Sequence, residues 1–247
     1  MRIAAHRGLH TTFPENSLAA FEAAVRAGAD AIELDVRLSR DGVPMVTHDV
    51  ECRRSLGLGW HVFEHDAGEL AARPLVGSPP DAPLYIPRLD EVLDTFAGGI
   101  GVEIELKDPM PELGPAVARS LEPHRAHWPS VEVTSFEPAS LLVLSRALPA
   151  QIATCLLLAP PEPWVTPRIL AHLAAGKARL AGAGAVHLHS SQLDPEALAS
   201  LRAGGVEVHA WGVNDEEAFV RATRAGVTHC DTDEVERMLA LRGARTS

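Results

Sequence analysis

The segment AIELDVRLSRDGVPMVTHDV, Ala31 to Val50, decides the fold. IELDVRL and VPMVTH both read as strands, and only SRDG separates them. Parallel neighbours in a sheet need a crossover of about a dozen residues. The pair therefore reads as an antiparallel hairpin turning at Asp41-Gly42. The hairpin settles the strand count. RIAAH, AIELDV, VPMVTH, GVEIEL, VEVTSF, IATCLLL, AVHLHS, VEVHAW and THCDT make nine runs, and setting the return strand aside leaves eight.

Between most of these runs lie segments of helical period. SLAAFEAAVRAGAD places Leu18, Phe21 and Val25 on one face, with Gly28 as a stop. LDEVLDTFAGG, ASLLVLSRALP, DPEALASLRAGG and NDEEAFVRATRAGV follow the same pattern. Strand and helix in alternation build a parallel sheet. Eight such units in 247 residues have the size of a (β/α)8 TIM barrel. An open doubly wound sheet is the alternative, but no GxGxxG follows the first strand. The chain is expected to be one domain, residues 1–247, with an insertion at roughly 50–87 that is too short for a core of its own.

Composition narrows the function. There are 33 acidic against 22 basic residues, a net charge of -11, which disfavours nucleic acid and anionic membrane surfaces. Cys52, Cys155 and Cys230 are few, odd in number and widely spaced, so a reduced compartment is expected. MRIAAHRG leaves no room for the apolar core of a signal peptide. No apolar run is long enough to span a bilayer. These readings together predict a cytoplasmic protein without stable membrane insertion.

The polar residues cluster at strand ends. His6-Arg7 closes the first strand, and His48-Asp49 closes the hairpin's return strand. Glu33 and Asp35 are two apart, as are Glu103, Glu105 and Lys107, so each set shares a face. In a barrel, the carboxyl ends of the strands carry the site. Inward carboxylates on adjacent strands repel one another, and Lys107 alone does not balance them. Hard oxygen ligands with room for water and phosphate suit Mg²⁺ or Ca²⁺. Two histidines add an acid and a base.

HRG followed by PENS, then ELDV, DGVPMVTHD and IELK resembles the glycerophosphodiester phosphodiesterase family. IPRLDEVL, TSF (Thr134 to Phe136) and WGVND (Trp211 to Asp215) add weaker matches, so nearly the whole chain is covered. The resemblance implies a (β/α)8 barrel with a divalent metal held by Glu33, Asp35 and Glu105. It implies His6 and His48 as catalytic residues and Arg7 and Lys107 as phosphate-binding cations, with Glu15 and Asn16 near the site. The implied reaction cleaves a small-molecule glycerophosphodiester to glycerol 3-phosphate and an alcohol. Asn16 or Ser17 would also cap the first helix, and Trp211 would wall the substrate's glycerol or pack in the core.

Two other functions fit the same residues. One is lysophospholipase D-type activity, for which Leu56, Leu58, Trp60, Val62 and Phe63 would form a strand or an apolar lip. The other is a non-catalytic barrel that binds phosphorylated metabolites, although binding needs no acid and base. His61 and His65 read as solvated loop residues. His187 and His189, and Glu207 and His209, share faces on their strands and serve either pocket or core. His229-Cys230 has no partner at ligand spacing and reads as strand packing.

Overall fold

A computed structural model describes residues 1–246. Each of the nine runs forms a strand: β1 Arg2–Ala5, β2 Ala31–Leu38, β3 Pro44–Val46, β4 Gly101–Leu106, β5 Val131–Ser135, β6 Ala153–Leu158, β7 Ala185–His189, β8 Glu207–Trp211 and β9 His229–Thr232. β2 and β3 are antiparallel, with Val36 opposite Val46 and Leu38 opposite Pro44. All other pairings are parallel, and β1 pairs with both β2 and β9, so eight strands close into a barrel. The fold is the expected (β/α)8 barrel, and Gly42 takes the positive φ that the hairpin turn requires.

The helices are α1 Leu18–Ala27, α2 Arg53–Leu56, α3 Ala67–Ala71, α4 Leu89–Phe96, α5 Leu113–Leu121, α6 Pro138–Ala147, α7 Pro167–Ala181, α8 Pro195–Ala203, α9 Glu216–Arg224 and α10 Val235–Thr246. The apolar core lies between the strands and this outer ring. Ile32, Leu34 and Val36 of β2 and Val102, Ile104 and Leu106 of β4 belong to it. Alternation then turns Glu33, Asp35, Glu103 and Glu105 towards the barrel axis. TIM barrels usually fill that interior with branched apolar side chains; here carboxylates and imidazoles occupy much of it.

Two expectations need correction. In α1 the buried residues are Ala20, Phe21, Ala23 and Ala24, while Val25 is 41% exposed. The helix packs through its alanines, which let it approach the barrel closely. The insertion, in turn, does have an apolar cluster: Cys52, Leu56, Val62, Ala67, Leu70, Leu75 and Ile86 gather on Met45 of β3. A short segment achieves this by borrowing a strand residue instead of closing on itself. Leu56 and Val62 are consumed there, so neither a strand nor a continuous apolar lip forms; Phe63 stays exposed.

The turn after β1 shows why HRG has its glycine. Gly8 has φ +79°, and a Cβ there would lie 2.6 Å from the backbone carbon of Ala20. Gly8→Ala is expected to cost at least about 2 kcal/mol, from the left-handed backbone and the overpacking together. Denaturant titration checks this; a loss below about 0.5 kcal/mol would mean that α1 yields without strain.

Candidate active site

Two segments build the floor of the rim. Arg7 and Asn16 are the only non-glycine residues with positive φ among the described residues, both at 57°. Such strain persists where the surroundings over-determine it. Here the two segments hold each other: the Asn16 amide donates to the Arg7 carbonyl at 3.0 Å, and the Arg7 amide donates to Glu33 Oε2 at 3.0 Å. Ser17, not Asn16, caps α1, accepting from the Ala20 amide. Asn16 instead clasps Asp35. Its Nδ2 donates to Asp35 Oδ2 at 2.8 Å, and its Oδ1 accepts the Asp35 amide at 3.2 Å.

Glu33, Asp35 and Glu105 each offer a carboxylate oxygen within 4.8 Å of the others. Lys107 Nζ lies 2.8 Å from Glu105 Oε1 and 3.4 Å from Asp35 Oδ1. Arg7 Nε lies 3.0 Å from Asp35 Oδ2, although its N–H is not aimed at that oxygen, so the pair is an ion pair without a hydrogen bond. Burial raises the pKa of all three carboxyls. For Asp35, Arg7 and Lys107 outweigh it, and the group stays below its ordinary range. For Glu33, repulsion from Asp35 and Glu105 adds to burial and raises it well above. Glu105 is pushed up to about 7 by burial and Asp35, against Lys107. Asp35 Oδ1 is buried without a hydrogen bond. An all-oxygen set with an orphaned oxygen and mutual repulsion fits a hard divalent cation.

The histidines stand above this set. His6 Nδ1 donates to Asp233 Oδ1 at 2.6 Å, which leaves Nε2 for the cavity. The same oxygen takes His10 Nε2 at 2.9 Å, and Asn214 Nδ2 donates to Asp233 Oδ2 at 2.6 Å. Burial lowers the pKa of His6, but the Asp233 hydrogen bond and nearby carboxylates prevail, and it ends above the ordinary value. His48 Nδ1 pairs with Asp49 Oδ1 at 2.7 Å. Burial lowers His48, Asp35 opposes this, and Lys107 and Arg7 carry it below the ordinary value. Arg54, from the insertion, donates to Glu15 Oε2 and Asp49 Oδ2, both at 2.6 Å, and Arg7 Nη1 reaches Glu15 at 3.3 Å.

The cavity is about 240 Å³, and its lining includes His6, Arg7, His48, Lys107, Phe136 and Trp211. Trp211 is therefore at the rim, edge-on to Phe136 with ring centroids 6.0 Å apart. A larger groove of about 780 Å³ beside α9 holds charged and apolar residues but no acid–base pair, so side-chain content and not size locates the site. All ten residues singled out in the sequence lie in the cavity wall or in the hydrogen-bonded shell behind it. Asp233, His10, Asp49 and Arg54 were missed as partners. Asp233 lies beyond β9, 227 positions from His6.

Carboxylates, paired histidines and cations at the carboxyl rim of a (β/α)8 barrel define a barrel hydrolase acting on an anionic substrate. The pattern of the glycerophosphoryl diester phosphodiesterase family matches residues 6–237. The chain belongs to that family of enzymes. A glycerophosphodiester phosphodiesterase of Bacillus subtilis is 31% identical over 242 residues, covering 91% of this chain and 80% of that protein. The crystal structure of a glycerophosphodiester phosphodiesterase from Agrobacterium tumefaciens superposes with TM-score 0.80 at 25% identity, covering 97% of this chain and 99% of the other. An Oleispira antarctica phosphodiesterase, solved with the product sn-glycerol-3-phosphate, gives TM-score 0.79 at 25% identity, with 97% and 96% covered. Among the described residues no helix is long and apolar enough to cross a membrane.

Proposed function

We propose that this enzyme hydrolyses glycerophosphodiesters to glycerol 3-phosphate and an alcohol, with Glu33, Asp35 and Glu105 holding Mg²⁺ or Ca²⁺. The observation that carries the reading is the pair of imidazoles, each tied through Nδ1 to a carboxylate, beside a three-carboxylate set. Bound there, a divalent ion supplies Lewis-acid polarisation of the phosphoryl group. Arg7 and Lys107 neutralise the charge that builds on the phosphoryl oxygens. His48, which leans to the neutral form, accepts the proton of the attacking water. His6, which leans to the protonated form, donates to the departing alkoxide. Phe136 and Trp211 wall the organic part of the substrate. Residues 1–247 act as one domain, the insertion contributing Arg54 to the rim.

The test is release of glycerol 3-phosphate from glycerophosphocholine, compared with the same headgroup on lysophosphatidylcholine. Turnover of the water-soluble diester with little on the lysolipid is the expected result; the reverse preference would favour lysophospholipase D-type activity. No turnover of either would favour a binding barrel.

Asn16 yields a separate prediction. Removing its clasp on Asp35 frees a carboxylate that Arg7 and Lys107 pull in different directions. Asn16→Ala is expected to lower kcat/KM about 10–100-fold, the usual range for a residue that orients a metal ligand. The loss should shrink as divalent ion concentration rises; a deficit independent of ion concentration would place Asn16 on the substrate instead.

A further inference from the structure

Below the rim, three strands turn a second set of ligand-type side chains into the barrel. β4 contributes Glu103, β7 contributes His187, and β9 contributes His229 and Asp231. All four are at most 4% exposed. His187 and Glu103 are 42 and 126 positions from His229, and barrel closure brings them to it, while Asp231 lies two positions along the same strand. His187 Nδ1 lies 3.2 Å from Glu103 Oε1 and 3.5 Å from Asp231 Oδ2. His229 Nε2 lies 2.8 Å from Glu103 Oε2 and 3.3 Å from Asp231 Oδ1.

Hydrogen bonding does not satisfy this set. Only His229 Nε2 and Glu103 Oε2 form a well-directed pair. Both ring nitrogens of His187 and Asp231 Oδ1 are buried without a hydrogen-bond partner. Orphaned polar atoms at such depth are costly and call for an explanation. The distances supply one. One donor atom from each of the four side chains lies within 4.8 Å of every other, close enough for a single ion with ~2.0–2.1 Å bonds to draw them together.

Charge agrees with geometry. Two carboxylates neutralise a dication, and two neutral imidazoles complete the shell, so the filled site carries no net charge into the interior. The donor set of two nitrogens and two oxygens also differs from the all-oxygen set at the rim; imidazole selects first-row transition ions over Mg²⁺ and Ca²⁺. Cys155 and His209 form another group with His187, of three donors against four. A cavity of about 220 Å³ opens at the opposite end of the barrel from the rim, lined by Glu103, Glu132, Glu207, His209 and His229 among others. Its acidic walls offer a route for a cation.

We propose that Glu103, His187, His229 and Asp231 bind a tetrahedral divalent transition ion, zinc in particular, inside the barrel, directly beneath the rim cavity that Glu103 and Asp231 also line. The ion ties β4 and β7 to β9, the last strand to close the barrel.

Cobalt(II) tests this on the full-length protein, because four-coordinate Co²⁺ absorbs strongly in the visible while six-coordinate, oxygen-ligated Co²⁺ absorbs weakly. The strong band is expected in the native chain and in Glu33→Gln, with about one equivalent of Co²⁺ displaced by Zn²⁺. It is expected to vanish in His187→Gln and in Asp231→Asn; if the first does not fold, the second decides on the same reading. Zn²⁺ should also raise the melting temperature of Glu33→Gln, and adding His187→Gln or Asp231→Asn to that same background should abolish the rise. A native chain showing only the weak band overturns the proposal, as does a strong band that survives in both interior variants.

Discussion

Glu105→Gln is expected to reduce turnover by on the order of a thousandfold, the upper end of what one electrostatic contributor supplies, while leaving the fold intact. Removing divalent ions from the native enzyme with a chelator should have an effect of the same size, restored by Mg²⁺ or Ca²⁺. The two losses should not compound, because both empty the same set. Stability should respond in the opposite sense. Burial and Asp35 push Glu105 up to about 7 from an ordinary value of 4.5. A carboxyl raised in the folded state contributes stability that is full below its unfolded pKa and is lost as pH rises through the folded one. The ion-free native enzyme should therefore lose stability between about pH 4.5 and 7, and Glu105→Gln should flatten that slope. Glu103→Gln should keep far more activity, since Glu103 is engaged with His187 and His229. An active Glu105→Gln, or full turnover in excess chelator, would remove Glu105 from the metal-holding role.

The strands were legible because each carries a run of apolar residues that must face the helices: Ile32, Leu34 and Val36 declare β2, and Val102, Ile104 and Leu106 declare β4. Alternation then makes the residues between them inward, so Glu33, Asp35 and Glu105 could be placed on the axis from local spacing alone. The buried face of α1 was not legible. Ala20, Ala23 and Ala24 contrast little with their neighbours in hydropathy, whereas Val25 looks apolar and lies outside. Asn16 had two readings of equal local merit, and only the left-handed backbone at that residue, set by the Arg7 carbonyl, turned its amide onto Asp35. Asp233 and the Glu103–His187–His229–Asp231 group depend on closure, which pairs β1 with β9. No window of sequence contains such a contact.

His6→Ala and His48→Ala are each expected to lose about 10²–10⁴-fold in kcat/KM, the usual span for general acid–base groups. Replacing both should cost much less than the product, because the two serve one event. The proposed division of roles follows from their environments. Asp233 accepts from His6 and favours the imidazolium; Lys107 and Arg7 face His48 and favour the neutral ring. The pH profile of kcat/KM should then be bell-shaped, with its acidic limb below and its basic limb above the ordinary imidazole value of 6.5. Asp233→Asn removes the charge and the strongest of the contacts that together outweigh burial at His6, so the His6 pKa falls and the basic limb moves to lower pH while the acidic limb stays. A substrate with a good leaving group, such as a p-nitrophenyl phosphodiester, departs without a proton. It should restore His6→Ala towards the native rate and leave His48→Ala impaired, because the attacking water still needs its base. Rescue of His48→Ala alone would exchange the two roles. Equal rescue of both variants, or of neither, would reduce the imidazoles to positioning groups and leave Arg7, Lys107 and the carboxylate set to carry the reaction.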